Sequence, residues 1–463
     1  MASIRVLQVI DREQHPATAD EQAVLARFPG FGAVALSLFP NPVTGHYKDS
    51  TWQTLGRELQ SLLTMDEYDS AKRSTFNAFY TSPTVISAMH SALNRLGVPQ
   101  GATLLEPGCG SGNFLAYAPA GMRGIGIELD RLSGRIATAR FPQHDIRIED
   151  FRDTKLPKDS IDAVIGNVPF ADLKLEYRGQ KLSLHEFFFV KSIDLLKPGG
   201  VLALVSTHYS LDKQNAAVRE ILSTKADFLG AIRLPSDAFK REGTAVVADI
   251  LFLRKRIAEN SCNHTDPDWL KATPLTIDGK PIGINQYFHN HPEMVLGQYS
   301  RKDTLYGGDD GYSITSTGNL SEQLDQAIAR LPELSSNTTT EFQPLPTATQ
   351  TPQMLPSQIS EGSFFVREDG MICQQIDSEL IPVEYGGNPL NATGSNKTGK
   401  RLAALIRLRD LARKVLRSQN EGWPDEDRQA ARKDLNWTYD SFVLAYGPIN
   451  KTTLSETASG QTI

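Results

Sequence analysis

The sequence predicts an α/β fold: a doubly wound parallel sheet carrying a helical N-terminal extension and a smaller mixed C-terminal region. Three observations support this. Between about 76 and 256, short apolar runs alternate with helical patterns at the spacing of βα units. A glycine-rich turn leads out of the first of those strands. A Ser/Thr/Pro/Gln-rich stretch at 333–362 then sets off a separate C-terminal piece, because it has too little apolar surface to order itself.

In chain order, residues 1–75 form the helical extension, with a Pro-containing lead and helical patterns at 21–28 and 52–63. The sheet domain, 76–256, takes strands at 103–106, 124–128, a presumed third with 148–151 at its end, 163–166, 200–205, 228–233 and 249–254. Pro198–Gly199–Gly200 stops the helix before one of them. Residues 257–332 are a mixed accessory region with a helix at 321–330, and 333–362 a flexible linker. The region 363–450 reads as a hairpin at 364–384 followed by helices at 399–418 and 425–446, and 451–463 as a disordered tail.

Composition bounds the function. A formal net charge of -6 argues against a chain that coats nucleic acid nonspecifically. A local basic groove remains sufficient for DNA. Cys109, Cys262 and Cys373 are too few and too scattered for a disulfide framework or zinc site, so no metal is expected. No apolar run approaches a membrane span and the start lacks a signal-peptide core, so the expected location is cytoplasmic.

Four motifs carry chemistry. The run Glu106–Pro107–Gly108–Cys109–Gly110–Ser111–Gly112–Asn113–Phe114 takes a strand into Gly-x-Gly-x-Gly, where glycine permits unusual backbone angles and close approach to a ligand. Asn113 stands where a dinucleotide fingerprint wants its third glycine, which favours S-adenosylmethionine over a nicotinamide cofactor; a plain tight turn is the bland alternative. Glu128, at the end of the next strand, can accept both hydroxyls of a ribose. Asp150 can accept the cofactor's adenine amine, with Phe151 packing on its ring; an exposed acid beside a core Phe is the competing reading.

The fourth motif is Asn167–Val168–Pro169–Phe170, about 55 residues beyond the glycine turn. An amine conjugated to a base ring is a poor nucleophile until acceptors draw its hydrogens and tilt its lone pair out of the ring. The Asn167 side-chain carbonyl and the Val168 backbone carbonyl provide two acceptors. Phe170 offers the base an aromatic face, worth about 1–3 kcal/mol of stacking. Such a pocket is closed to a base inside a duplex, so the target must be flipped out. Taken alone, the motif could be an ordinary turn after a buried strand.

In this order the motifs resemble the DNA adenine-N6 amino-methyltransferase family, whose Asn-Pro-Pro-Phe/Tyr element comes after the cofactor loop. The stretch 77–83 is similar to its Tyr-Thr-Pro-Pro element, which implies that Tyr80 and Thr81 hold the methionine part of S-adenosylmethionine. Val168 replaces the usual proline, but the acceptor required there is a backbone carbonyl. The resemblance implies a Rossmann-like class I methyltransferase sheet, DNA as partner, and a role in DNA modification, restriction-modification, phage defence or anti-restriction. It extends to methyltransferase regions of very large phage and mobile-element proteins that also carry a helicase. This chain has no Gly-x-x-x-x-Gly-Lys-Ser/Thr loop, so a motor, a separately encoded helicase or other restriction subunits would come from elsewhere.

Further substrate contacts are expected at Phe239, which the resemblance places over the base opposite Phe170, and at Lys174, Arg178 and Lys181 beside flanking phosphates. The helix at 399–418, with Arg409 and Arg413 on a basic face, is expected to meet DNA. His185 and Glu186 open a helix and read as capping residues. The alternatives are methylation of cytosine N4, RNA or a protein glutamine, and a catalytically silent module that binds DNA or a partner.

Overall fold

The structure is a computed structural model. It describes residues 1–449 except 29, 32–33, 42–43, 75–80, 171–172, 240–245, 258–266, 303–310, 335–362, 377–378, 386–387, 394–396 and 421–422. Tyr80, nearly all of the expected linker, the tail and Cys262 therefore lie outside the described residues. The chain divides into two compact units, 1–351 and 352–463.

The first unit begins with helices α1 (Ala2–Glu13), α2 (Ala19–Leu25), α3 (Ala35–Leu38), α4 (Ser50–Leu62) and α5 (Met65–Ser74). Ile4, Leu7 and Ile10 recur at helical spacing on α1 and bury with Leu25, Phe28, Phe39 and Leu59 against Leu132 and Ile136 of the sheet domain. Burying each such side chain contributes about 1.5–3 kcal/mol. Arg135 adds ion pairs to Asp11 and Glu67. The extension therefore braces α7 (Arg131–Arg140), the helix that follows the strand ending in Glu128.

Helix α6 (Pro83–Arg95), capped by Ser82, precedes the sheet. Its strands are β1 (Thr103–Pro107), β2 (Arg123–Glu128), β3 (Asp145–Ile148), β4 (Ile161–Asn167), β7 (Leu196–Thr207), β8 (Ala226–Arg233) and β9 (Ala248–Lys255). They lie in the order β3-β2-β1-β4-β7-β9-β8. Neighbours from β3 to β7 are parallel, and β9 runs antiparallel to both β7 and β8. This is a Rossmann-like, doubly wound sheet, with one correction to the all-parallel expectation. The β8–β9 link leaves and re-enters at one edge, where the Leu234 amide donates to the Ala248 carbonyl (2.9 Å), so β9 must run back.

Between β4 and β7 stand a hairpin, β5 (Lys174–Tyr177) and β6 (Gln180–Ser183), and helix α8 (Leu184–Leu195). Arg178 and Gly179 both have positive φ (50° and 73°), as a tight two-residue hairpin turn demands. Ser183 and Glu186 form a capping box on α8. Helices α9 (Tyr209–Asp212) and α10 (Ala217–Lys225) come after β7.

The accessory region contains the hairpin β10 (Ala272–Ile277) and β11 (Lys280–Asn285), helix α11 (Gln286–Asn290), the pair β12 (Gln298–Ser300) and β13 (Ser313–Thr315), and α12 (Leu320–Arg330). It is fastened to the sheet by a buried ionic cluster. Arg233 donates to both oxygens of Asp249 (2.8 Å each) and to Asp212 (3.0 Å), and Asp212 also accepts from the Tyr312 hydroxyl (2.5 Å) and the Asn285 amide (2.8 Å).

The second unit pairs β14 (Phe364–Val366), β15 (Ile372–Ile376) and β16 (Glu379–Pro382) with the helical hairpin of α13 (Lys397–Asn420) and α14 (Asp425–Tyr446). Its core gathers Ile372, Leu390 and Ile406.

Candidate active site

The parallel strands β1, β2, β3, β4 and β7 place their carboxyl ends along one edge, the usual ligand edge of such sheets. From β1 the chain turns at Gly108, Gly110 and Gly112, with φ of 73°, 55° and 79°, in the left-handed region that L side chains rarely adopt. The amides of Gly108 and Cys109 both donate to the Ile127 carbonyl (2.8 and 2.9 Å), which ties the turn to β2. A Cβ on Gly112 would stand 2.7 Å from the Phe141 ring, whereas one on Gly108 would project toward Phe188 (3.7 Å) and Pro169 (4.0 Å). The turn, a cradle of three glycines, thus faces the Asn167–Phe170 motif at Pro169.

Glu106 is buried beneath the turn, where it accepts from the Leu115 amide (3.2 Å), and burial pushes its carboxyl well above the usual range. Phe114 is a core residue whose carbonyl meets the His90 ring nitrogen (2.9 Å). Asn113 is held through its Oδ1 by Arg140 (3.1 Å), which also donates to the Ser111 carbonyl (2.5 Å). Glu128, half-buried at the end of β2, accepts from the Gly110 and Asp130 amides (2.6 and 2.7 Å). Burial raises its pKa to about 7.

After β3, the Asp150 carboxylate accepts from the Arg152 amide and guanidinium (2.9 Å to N and Nε, 2.5 Å to Nη2). Its capacity to accept an adenine amine therefore passes through release of Arg152, whose side chain is about half exposed. Phe151 is buried against Phe187 and Phe188 (ring centroids 5.9 and 5.0 Å). It is a core residue here.

At the end of β4, Asn167 is half-buried and its Nδ2 donates to the Thr81 hydroxyl (3.1 Å). In this orientation the NH2 is the donor and Oδ1 is the acceptor of the side chain. The Val168 amide donates to the Val205 carbonyl (3.1 Å), which fixes the start of the loop, while Pro169 and Phe170 remain half-buried. The contact joins residues 86 positions apart and brings Thr81 to the Asn-Val-Pro-Phe motif.

Other expected contacts are placed differently. Phe239 is fully buried at 1% exposure, so its ring offers no open face to a base in this structure. Arg178 is ion-paired to Asp194 (3.3 Å) near the C-terminal end of α8, because Leu175, Tyr177 and Leu182 pack the β5–β6 hairpin down that helix, away from its N-terminal, carboxyl-edge end. Lys174 and Lys181 are exposed on the same hairpin. In the second unit Arg409 donates to the Phe364 carbonyl (2.7 Å) and pins α13 to β14, while Arg413 is exposed. Sequence reasoning missed Arg140 and the buried Lys191, since a basic residue on a helix ordinarily reads as solvated.

No known protein-family profile matches the chain. In sequence it is 30% identical over 234 residues to "Defense against restriction protein B" of Escherichia phage P1, a match covering 49% of this chain and 10% of that protein. The chain thus spans about a tenth of that relative's length. Among solved structures it is similar to the type I restriction-modification system methyltransferase subunit from Streptococcus thermophilus, with 18% identity, 70% of this chain and 77% of that chain covered, and a TM-score of 0.38. It is also similar to the M protein of the type I restriction enzyme EcoKI, with 18% identity, 56% and 68% covered, and a TM-score of 0.35.

Proposed function

We propose that this chain is an S-adenosylmethionine-dependent DNA methyltransferase that modifies N6 of a flipped-out adenine, in DNA modification, phage defence or anti-restriction. The observation that carries the proposal is the Asn167–Thr81 hydrogen bond, which joins the side chain expected to grip the target amine to a residue expected to hold the methionine end of the cofactor. The phage relative, whose name is defence against restriction, supports the biological setting.

The residues at the sheet edge support the cofactor reading: the positive-φ glycines suit a close backbone approach, and the Glu128 carboxylate beside the Gly110 amide can accept ribose hydroxyls. S-adenosylmethionine, when bound, supplies an activated methyl group on a sulfonium. Glu128 holds the ribose hydroxyls, Asp150 the adenine amine once Arg152 swings aside, and Thr81 with Tyr80 the methionine end. Asn167 Oδ1 and the Val168 carbonyl take the two hydrogens of the target amine and hold its lone pair toward the cradle, and Phe170 stacks on the base. Most of the rate then comes from alignment, which for well-oriented groups is worth about 7–11 kcal/mol. DNA is the partner, and a separate helicase or other restriction subunits would complete the system.

Incubation with tritiated S-adenosylmethionine and unmethylated DNA tests this. Label should enter wild-type reactions and vanish with Asn167→Ala, while S-adenosylhomocysteine affinity stays unchanged. Nucleoside mass spectrometry should then show N6-methyladenine. N4-methylcytosine would redirect the substrate assignment, and label in RNA or protein alone would end the DNA reading.

A further inference from the structure

Helix α8 carries a run of buried apolar residues (Phe187, Phe188, Phe189, Val190 and Ile193), and among them Lys191 is completely buried at 0% exposure. No step proposed above uses it. Its ammonium donates to three backbone carbonyls, those of Phe151 (2.7 Å), Thr154 (3.1 Å) and Arg152 (3.2 Å). An ammonium has three donors, so the acceptors match them in number. The charge also sits 5.0 Å from the centroid of the Phe151 ring. An apolar residue would hold α8 to the sheet without the desolvation penalty of a buried cation. The lysine supplies something an apolar residue cannot: it gathers three carbonyls.

All three carbonyls belong to the turn that comes after β3 and starts at Asp150. The turn closes on itself, because the Asp153 and Thr154 amides and the Thr154 hydroxyl all donate to the Asp150 carbonyl (2.8, 3.1 and 3.2 Å). Three of its other carbonyls, those of Phe151, Arg152 and Thr154, face the ammonium. The Asp150 and Arg152 side chains keep some exposure, at 20% and 51%.

We infer that Lys191 is a positioning residue for the adenine end of the cofactor: from beneath, it fixes the 150–154 turn that presents Asp150. The inference rests on the cofactor reading above. Lys191→Met keeps the length of the side chain and removes its donors. Calorimetry should show about tenfold weaker binding of both S-adenosylhomocysteine and methylthioadenosine, which share the adenosine end. Thr81→Ala, at the opposite end of the site, should weaken S-adenosylhomocysteine alone. Unchanged affinities in a folded Lys191→Met protein, or a loss confined to S-adenosylhomocysteine, would overturn the assignment. Should that variant not fold, wild-type protein labelled with 15N-lysine gives the answer: the Lys191 Nζ resonance should move on saturation with S-adenosylhomocysteine, and a stationary resonance refutes the role. If wild-type protein binds neither ligand, the cofactor reading falls and takes this inference with it. If it binds both and the variant matches it, only the role of Lys191 falls.

Discussion

Glu128 couples the site to pH. Its carboxyl is half-buried between the Gly110 and Asp130 amides, and burial lifts its pKa to about 7. In the proposed role, the ionised form is the one that would accept two ribose hydroxyls while keeping those amides satisfied. A raised pKa means this form is present above about 7 and is lost as pH falls through that value. For a single group titrating there, S-adenosylhomocysteine affinity should drop about tenfold from pH 8 to pH 6. Glu128→Gln should bind weakly and with a flat profile, and a sloping profile in that variant would assign the titration elsewhere. Phe170 makes a different contribution: Phe170→Ala should lower kcat/KM by about 10- to 100-fold, the worth of one stacked base, and leave cofactor affinity intact. That Glu128 and Asn167 stand at the ends of β2 and β4 is legible in the sequence, because each follows a short apolar run. Lys191, Arg140, Arg178 and Arg409 are not, because their partners are carbonyls or carboxylates brought up only by the fold. Asp194, which captures Arg178, lies 16 positions away on another element.

At the scale of elements, the glycine turn separates two effects that a fingerprint merges. Gly112→Ala meets the Phe141 ring at 2.7 Å in a left-handed conformation, so both strain and overlap oppose it. It should lose about 1–3 kcal/mol of stability in urea unfolding, together with cofactor affinity. Gly108→Ala has no contact closer than 3.7 Å, but its methyl points into the cradle beside Pro169. It should lose about 1 kcal/mol of stability and nearly all cofactor binding. A Gly108→Ala protein with wild-type affinity would place the ligand elsewhere. The sheet strands could be read because each is a short apolar run between turn residues; for example, the expected 228–233 is observed as Ala226–Arg233. The hairpin Lys174–Tyr177/Gln180–Ser183 was hidden. Its strands are four residues long and charged on one face, so they read as a basic loop rather than as a ribbon packed on α8 through Leu175, Tyr177 and Leu182.

In the molecule as a whole, each of the two units makes its own testable statement. In the first, the accessory region depends on a charge buried without exposure: Arg233 between Asp249 and Asp212. Removing one partner of a buried pair leaves the other uncompensated, so Asp249→Asn should destabilise this unit by about 3–5 kcal/mol in denaturant titration. A loss below 1 kcal/mol would mean that water already reaches the cluster. In the second unit, the exposed residues of α13 include Lys400, Arg401, Arg407 and Arg413. A chain of net charge -6 needs such a local surface to gather phosphates. Each phosphate contact releases counterions and steepens the dependence of log affinity on log salt by about 0.9. Changing Arg407 and Arg413 together to Ala should therefore flatten the slope for duplex DNA by about two, at unchanged thermal stability. Arg409→Ala is the internal control. Its guanidinium holds the Phe364 carbonyl, so it should lower the stability of this unit and leave the slope alone. An unchanged slope in the Arg407/Arg413 pair would remove α13 from the DNA surface and move the search for phosphate contacts to the exposed lysines of the β5–β6 hairpin.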